Sequence, residues 1–272
     1  MSEVKKKTKK ETYNKAIFWI VISIIFLVFI ISVGAYEVLT NTDFRVSSRV
    51  SKLSKRQKHN KPEKKTVGWL RVQGTNIDFP IIYAPDYNFV YETEDFGWTE
   101  ADFEELNNMI YISGHNIKNL AVKPALLDKD HTRFEQLMSF AYYDFAKENQ
   151  FIQYTFNGED YVYRIFAVNY MNESDLDLYN DKKYTDKEMH DEIERIRKNS
   201  LYKYNTDVDE SDKVIILTTC TNMFGESSDT HFLVSGRLMR RNEGIKKVKV
   251  ETTGEYDIIQ EQMKGGESYD EA

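Results

Sequence analysis

The spacing of hydrophobic positions changes several times along the chain, and each change predicts an element. From Ala16 to Tyr36 run 21 residues without a charge, almost all apolar. At about 1.5 Å rise per residue, such a run is long enough to cross a hydrocarbon core as a helix. The next stretch, "NTDFRVSSRVSKLSKRQKHNKPEKKT", is polar and strongly basic from Arg45 to Lys65. Val46, Val50 and Leu53 fall there at helical spacing and predict one short amphipathic helix. Two readings of its basic face stay open: a solvated spacer, or a face resting on anionic lipid.

Strand-like patterning begins at "VGWLRVQGTNIDFPIIY" (67–83), which predicts two strands around a Gly-Thr-Asn turn. Pro80 places the second strand at an edge or a bulge, because proline cannot donate to a ladder. Residues 86–107 are acidic and aromatic and read as a loop with at most one helical turn. "NMIYISGHN" (108–116) is a short apolar strand ending in Gly-His-Asn. Residues 133–149 carry Phe134, Leu137, Met138, Tyr142 and Phe145 at helical spacing. "QFIQYTFNGEDYVYRIFAVNYMN" (150–172) predicts a hairpin turned by Asn-Gly. Residues 185–200 predict a helix capped by Thr185, with Glu188 completing a capping box. "DKVIILTTC" and "HFLVSGRLMRR" are the last clear strands. The segment "KKVKVETT" is a candidate further strand, and the last dozen residues are expected to be disordered. Strands with inserted helices, rather than alternating βαβ units, predict a mostly β architecture of barrel or α+β type.

Composition narrows this picture. The 14% aromatic content, with 18 Tyr and 16 Phe, agrees with the strand bias. A net charge of -7 argues against nucleic acid as a partner. Lysines crowd residues 1–15, and none follows the apolar run until Lys52. That asymmetry places residues 1–15 in the cytoplasm and the chain after the span outside the cell. A cleaved signal peptide is the competing reading. Its apolar core is ordinarily 7–15 residues, and "SVGAYEV" is a poor cleavage site. An uncleaved single-pass anchor in the cell membrane is therefore the expectation.

One cysteine excludes an internal disulfide. Cys220 follows "VIILTT", and an apolar approach of this kind usually ends in an inert core thiol. Three features favour a reactive one. The apolar run stops at Leu217, threonines flank the cysteine, and a purposeless exposed thiol outside the cell is an oxidation liability. A usable thiolate needs a base or a cation nearby. His59, His131 and His190 lie in polar or charged surroundings and read as solvated surface residues. His115 ends a strand as Ser-Gly-His-Asn, where a glycine permits a tight turn. His231 opens the last strand, and an antiparallel neighbour would bring it near Cys220.

In order, "VGWLRVQGTNIDFPIIY", "YISGHN", "VIILTTC" and "FLVSGRL", behind an N-terminal anchor, resemble the sortases, membrane-anchored cysteine transpeptidases of Gram-positive bacteria. The resemblance covers roughly residues 44–240. The helix at 185–200 resembles the insertion of class B sortases. "LTTC" matches the family's Thr-Leu-x-Thr-Cys motif at its final Thr-Cys and departs earlier. The resemblance implies a closed eight-stranded β-barrel with inserted helices, preceded by one transmembrane helix. It implies that Cys220 attacks the carbonyl after the threonine of a sorting pentapeptide and that His115 protonates the leaving amine. The thioester then passes to a cell-wall cross-bridge amine or a pilin lysine. A Cys–His pair needs no metal or other cofactor. Asn116, Thr218, Thr219 and Thr221 are the candidate substrate-binding residues, and the loops at 172–184 and 221–230 the expected peptide readers.

The family carries an arginine just before the apolar triplet of the strand after the cysteine, and this chain has His231 there. Arg237 lies six residues on, at the far end of that strand. Three outcomes stay open: His231 takes the arginine's role, another arginine reaches in, or the protein is a weak homologue that binds sorting peptides or pilins as an assembly factor. The resulting organisation is a cytoplasmic basic tail (1–15), an anchor (16–39), a basic spacer (40–66), a sortase-like catalytic domain (67–241) and a polar, partly disordered C-terminal tail (242–272).

Overall fold

The computed structural model of the chain describes residues 17–24, 26–27, 66–84, 97–99, 105–116, 134–176, 183–221, 223–224, 229–241 and 243–266. The chain divides into two compact units, Met1–Arg45 and Val46–Ala272. In the first, residues 17–24 and 26–27 are helical, and Phe18, Trp19 and Phe26 are exposed. Among the described residues no helix is long and apolar enough to cross a membrane. Most of the expected span, the basic tail, the amphipathic turn at Val46, Val50 and Leu53, and His59 and His131 lie outside the described residues.

In the second unit, among the described residues, eight strands close into a barrel. They are β1 (Thr66–Val72), β2 (Asp78–Tyr83), β3 (Gly97–Thr99), β4 (Met109–Gly114), β5 (Phe151–Phe156), β6 (Glu159–Asn172), β8 (Val214–Thr221) and β9 (Thr230–Leu238). Their order around the barrel is β1-β2-β3-β4-β8-β9-β6-β5. Closure pairs β1 with β5 and removes the open edges that a flat sheet would present. A separate two-stranded sheet joins β7 (Tyr202–Tyr204) to β10 (Val250–Thr252). The helices are α1 (Tyr143–Glu148), α2 (Asp186–Lys198) and α3 (Gly254–Gly266), with a 3₁₀ helix at Phe134–Ala141 and a 3₁₀ turn at Glu173–Asp175.

Local chemistry explains most of these elements. The β5–β6 hairpin turns at Asn157 (φ 51°) and Gly158 (φ 80°), the positive-φ pair that a two-residue turn requires. The capping box at the start of α2 forms as expected: the Thr185 hydroxyl accepts from the Glu188 amide, and the Glu188 carboxylate accepts from the Thr185 amide. The helical run at 133–149 is broken in two, 3₁₀ then α, at Tyr142.

The continuous "VIIL" of β8 has a physical cause. Ile215 and Leu217 face the barrel interior with Leu70, Ile112, Phe232 and Val234. Val214 and Ile216 face outward, where α2 covers them with Met189, Ile193 and Ile196. Both faces of the strand are buried, so the polar alternation is lost. Each of those three helix side chains contributes about 1.5–3 kcal/mol on burial.

Several sequence expectations need correction. Residues 97–99, read as loop, form β3. The rest of the 86–107 segment lies mostly outside the described residues. β2 is an interior strand of the barrel, but Pro80 occupies a locally open flank of it, the edge position its residue type implied. It pairs with Trp69, and β3 covers only Ile81–Tyr83 on the other side, so no ladder bond from its nitrogen is required there. Within the tail the candidate strand forms at its end as β10, but α3 runs to Gly266, into the last dozen residues expected to be disordered, and buries Ile259 and Met263 in the main core. Its apolar spacing is irregular, and its stability comes from docking rather than from pattern.

Arg237 is fully buried at the far end of β9, 1% exposed. Its guanidinium donates to the Asp207 carbonyl at 3.0 Å and forms a two-point ion pair with Glu243. The Arg237 guanidinium, ahead of opposing burial, holds the Glu243 carboxyl down at about 2. The folded value lies below the ordinary one near 4.5, so this contribution is complete above pH 4.5 and lost as pH falls towards 2. Glu243→Gln strands a buried cation, and we expect a loss of about 3 kcal/mol at neutral pH by denaturant unfolding. The difference between variant and parent should shrink on acidification through that window. A constant difference would rule out the ion pair as its source.

Candidate active site

β8 is buried from Val214 to Thr219, and its next residue, Cys220, is exposed. The change comes where α2 no longer covers the outer face. β9 runs antiparallel beside β8, and the register pairs Cys220 with His231 directly. Directly opposed residues share a face, so thiol and imidazole emerge together. Sγ lies 3.9 Å from His231 Nε2. On the ring's other side, Nδ1 meets the Thr218 hydroxyl at 3.0 Å. His231 is only 8% exposed, so its orientation is held from both sides.

A carboxylate completes the cluster. Glu173, first residue of the 3₁₀ turn after β6, places Oε2 3.6 Å from His231 Nε2. Its amide donates to the Asp229 carbonyl at 2.7 Å, tying the turn to the segment before β9. Desolvation, then the Glu173 carboxylate, push the Cys220 thiol above its ordinary value. Burial pulls the His231 imidazole below its ordinary value, and Glu173 opposes that pull. The pair therefore shares one proton over a wide pH span, as thiol plus imidazole or as thiolate plus imidazolium.

His115 lies just past the end of β4, which runs parallel to β8 with Ser113 opposite Thr218. Two contacts bracket it. The Thr219 hydroxyl donates to the Gly114 carbonyl at 2.6 Å, and the Asn116 side-chain amide donates to the Cys220 carbonyl at 3.0 Å. The Trp98 ring packs against the His115 ring, centroids 4.6 Å apart. Gly114 does not serve a tight turn, as its place in the sequence implied. It is a strand residue opposite Gly97, and a Cβ on Gly114 would come within 2.2 Å of the Phe134 ring. The pair of glycines makes a seat for that ring beneath the strand end that carries His115.

No protein-family model matches the chain. It is 26% identical over 170 residues to sortase B of Listeria monocytogenes, across 59% of this chain. That match spans 64% of the relative's length, somewhat under two thirds. Among solved structures, sortase B of Clostridium perfringens superposes with a TM-score of 0.55 at 21% identity, covering 68% of this chain and 99% of that one. A Staphylococcus aureus sortase B–substrate complex gives 0.55 at 15% identity, covering 70% and 86%. In sequence the chain is similar to these sortases, and it has their fold.

The expected site residues of this chain are not all alike. Cys220, His231, Asn116 and the backbone around His115 converge on one rim of the barrel. Thr218, Thr219 and Thr221 adjoin the cysteine but are buried. Their hydroxyls meet His231, the Gly114 carbonyl and the Met223 amide respectively. They support the rim from beneath instead of presenting a surface to a peptide. Of the expected peptide-reading loops, residues 177–182, 222 and 225–228 lie outside the described residues. His190, on α2, is exposed near Glu210.

Two arginines bear on the family's missing guanidinium. Arg237 is committed to Glu243 and Asp207 at the far end of β9. Arg195, on α2, is held by Glu192 and touches the sulfur of Met171 at 3.9 Å. Met171 is the β6 partner of His231, so this guanidinium contacts the residue beside the imidazole across the ladder. Among the described residues, His231 is the basic group in contact with the thiol. Glu173 was missed by sequence reading. Its approach depends on the β6–β9 register, Asn172 opposite Thr230, which no local pattern reveals.

Proposed function

We propose that this protein is a sortase, a membrane-anchored cysteine transpeptidase of the sortase B type. In this reading the N-terminal helix holds it in the cell membrane, with residues 1–15 cytoplasmic and the barrel outside. It acts on the C-terminal sorting signal of surface proteins and hands them to an amine acceptor, a cell-wall cross-bridge or a pilin lysine. The observation that carries the reading is an exposed thiol at the end of an otherwise buried strand, with an imidazole nitrogen 3.9 Å from its sulfur.

The chemistry follows from that pair. The thiol proton moves to His231 Nε2, and the thiolate attacks the scissile carbonyl carbon. The imidazolium left beside the sulfur offsets negative charge as it develops on the carbonyl oxygen. The C–N bond breaks, a thioester forms on Cys220, and His115 delivers a proton to the leaving amine. The acceptor amine then attacks the thioester and gives its proton to His115, the C–S bond breaks, and the departing thiolate takes its proton back from His231, so both histidines return to their starting states. No metal or cofactor enters any step. The anchor rests on the uncharged stretch 16–36 and the lysines before it. The existence of a sortase B–substrate complex with this fold supports a bound peptide substrate here.

The test uses the full-length protein and a library of fluorogenic sorting peptides, with and without an amine acceptor. We expect cleavage of a subset and acceptor-dependent ligation. Binding without cleavage would replace this reading with that of a peptide- or pilin-binding assembly factor, for which the absent arginine is the supporting observation. Alkylation of Cys220 only after denaturation would leave a structural thiol.

A further inference from the structure

We infer that Glu173 is a positioning residue that favours the charged form of the His231 ring beside Cys220, so that this site carries its cation on a protonatable ring instead of a fixed guanidinium. The inference rests on the transpeptidase reading above. Its geometry is independent of any substrate.

Three contacts define the position of the ring. Nδ1 faces the Thr218 hydroxyl at 3.0 Å. Nε2 faces both Cys220 Sγ at 3.9 Å and Glu173 Oε2 at 3.6 Å. When Nε2 takes the thiol proton, the S–H bond breaks and an N–H bond forms between two anions. The carboxylate lies against the imidazolium, so of the two new charges it stabilises the cation more than it repels the thiolate. Thr218 serves either state, because its hydroxyl both donates and accepts. The Glu173 backbone is tied to Asp229, which holds the turn in place.

The charged groups facing His231 come from each neighbouring element. Cys220 lies on β8, Glu173 on the turn after β6, and Asp229 in the segment leading into β9. Arg195 of α2 contacts the sulfur of Met171, the ladder neighbour of His231. Both carboxylates favour the imidazolium, and desolvation opposes it. A guanidinium in this place would be cationic at any working pH. The imidazolium–thiolate pair instead exists as a minor form of a site that holds one proton.

The test reads the thiol directly. The alkylation rate of Cys220 by iodoacetamide is followed against pH for the full-length protein, for Glu173→Gln and for Glu173→Asp. In the parent we expect a low plateau around neutral pH, from the ion-paired fraction, and a rise as the thiol itself ionises at higher pH. In Glu173→Gln the plateau should fall about tenfold while the alkaline rise moves to lower pH, because the thiolate loses a repelling neighbour. Glu173→Asp should restore part of the plateau. Glu173 is 45% exposed, and thermal unfolding should be little changed.

Opposite movement of the two limbs is not produced by loosened packing. An unchanged or raised neutral plateau in Glu173→Gln overturns the inference. Since no sorting peptide is needed, that outcome leaves the cleavage experiment intact. Conversely, a failure of cleavage with both limbs moving as described would overturn the transpeptidase reading alone.

Discussion

Cys220→Ala removes peptide cleavage, with kcat/KM falling by about 10⁴-fold or more, because no other described side chain at the rim can form the acyl bond. Binding of the sorting peptide persists, since the lost atom is one sulfur on an exposed residue. Stability should change by no more than about 0.5 kcal/mol. Fluorogenic turnover together with a fluorescence-polarisation binding curve separates the two effects. Residual cleavage above about 1% of the parent rate would place the nucleophile elsewhere. Cys220→Ser is the stricter control. It keeps the shape, but its far higher pKa leaves almost no anion even beside His231, so it should be nearly as inactive.

His231→Ala is expected to lower kcat about 10²–10³-fold with a smaller change in KM, the range for losing one charge-bearing group at a developing oxyanion. Two effects add in this variant: the thiol loses its proton acceptor, and the carbonyl oxygen loses its cation. His231→Arg separates them. A guanidinium supplies the cation at every pH but accepts no proton, so the thiol proton must go to solvent. Burial and Glu173 push the thiol up, and a permanent positive charge brings it down again. We therefore expect His231→Arg to exceed the parent by about tenfold in turnover, with the alkaline onset of alkylation moved to lower pH. Turnover at or below that of His231→Ala would show that proton acceptance, not charge, is what the ring supplies. On the His231→Arg background Glu173→Gln should no longer lower the neutral alkylation rate, because no protonatable ring remains for the carboxylate to charge, while the alkaline onset should still move to lower pH as the thiolate loses a repelling neighbour.

Much of the fold is legible along the chain wherever a local rule suffices. The capping box at Thr185 and Glu188 and the Asn157-Gly158 hairpin each report a contact made within a few residues. The short elements were not legible. β3 and β7 are three residues long, too few for any period to show, and they exist because neighbours supply ladder partners. Helix α3 has weak periodicity and is held by docking Ile259 and Met263. Gly114 suggested a tight turn, yet it and Gly97 serve close packing against Phe134. Such a role depends on a side chain that reaches them from another element.

The candidate site divides along the same line. Cys220 and His231 could be paired from sequence, since a strand, a short loop and a strand leave little freedom in register. His115 could be assigned to the same end of the fold because it closes a strand. That Thr218, Thr219 and Thr221 lie beneath the rim, and that Arg237 is locked to Glu243 far from the thiol, emerged only when burial and partners were known. Glu173 was equally out of reach: it is 47 residues before Cys220 and meets His231 through the closure of β6 on β9. Local patterns specify which elements form and which nucleophile the chain offers. The charge state of that nucleophile belongs to the tertiary structure, because it depends on groups brought within 4 Å from distant strands, where Coulomb energies are largest.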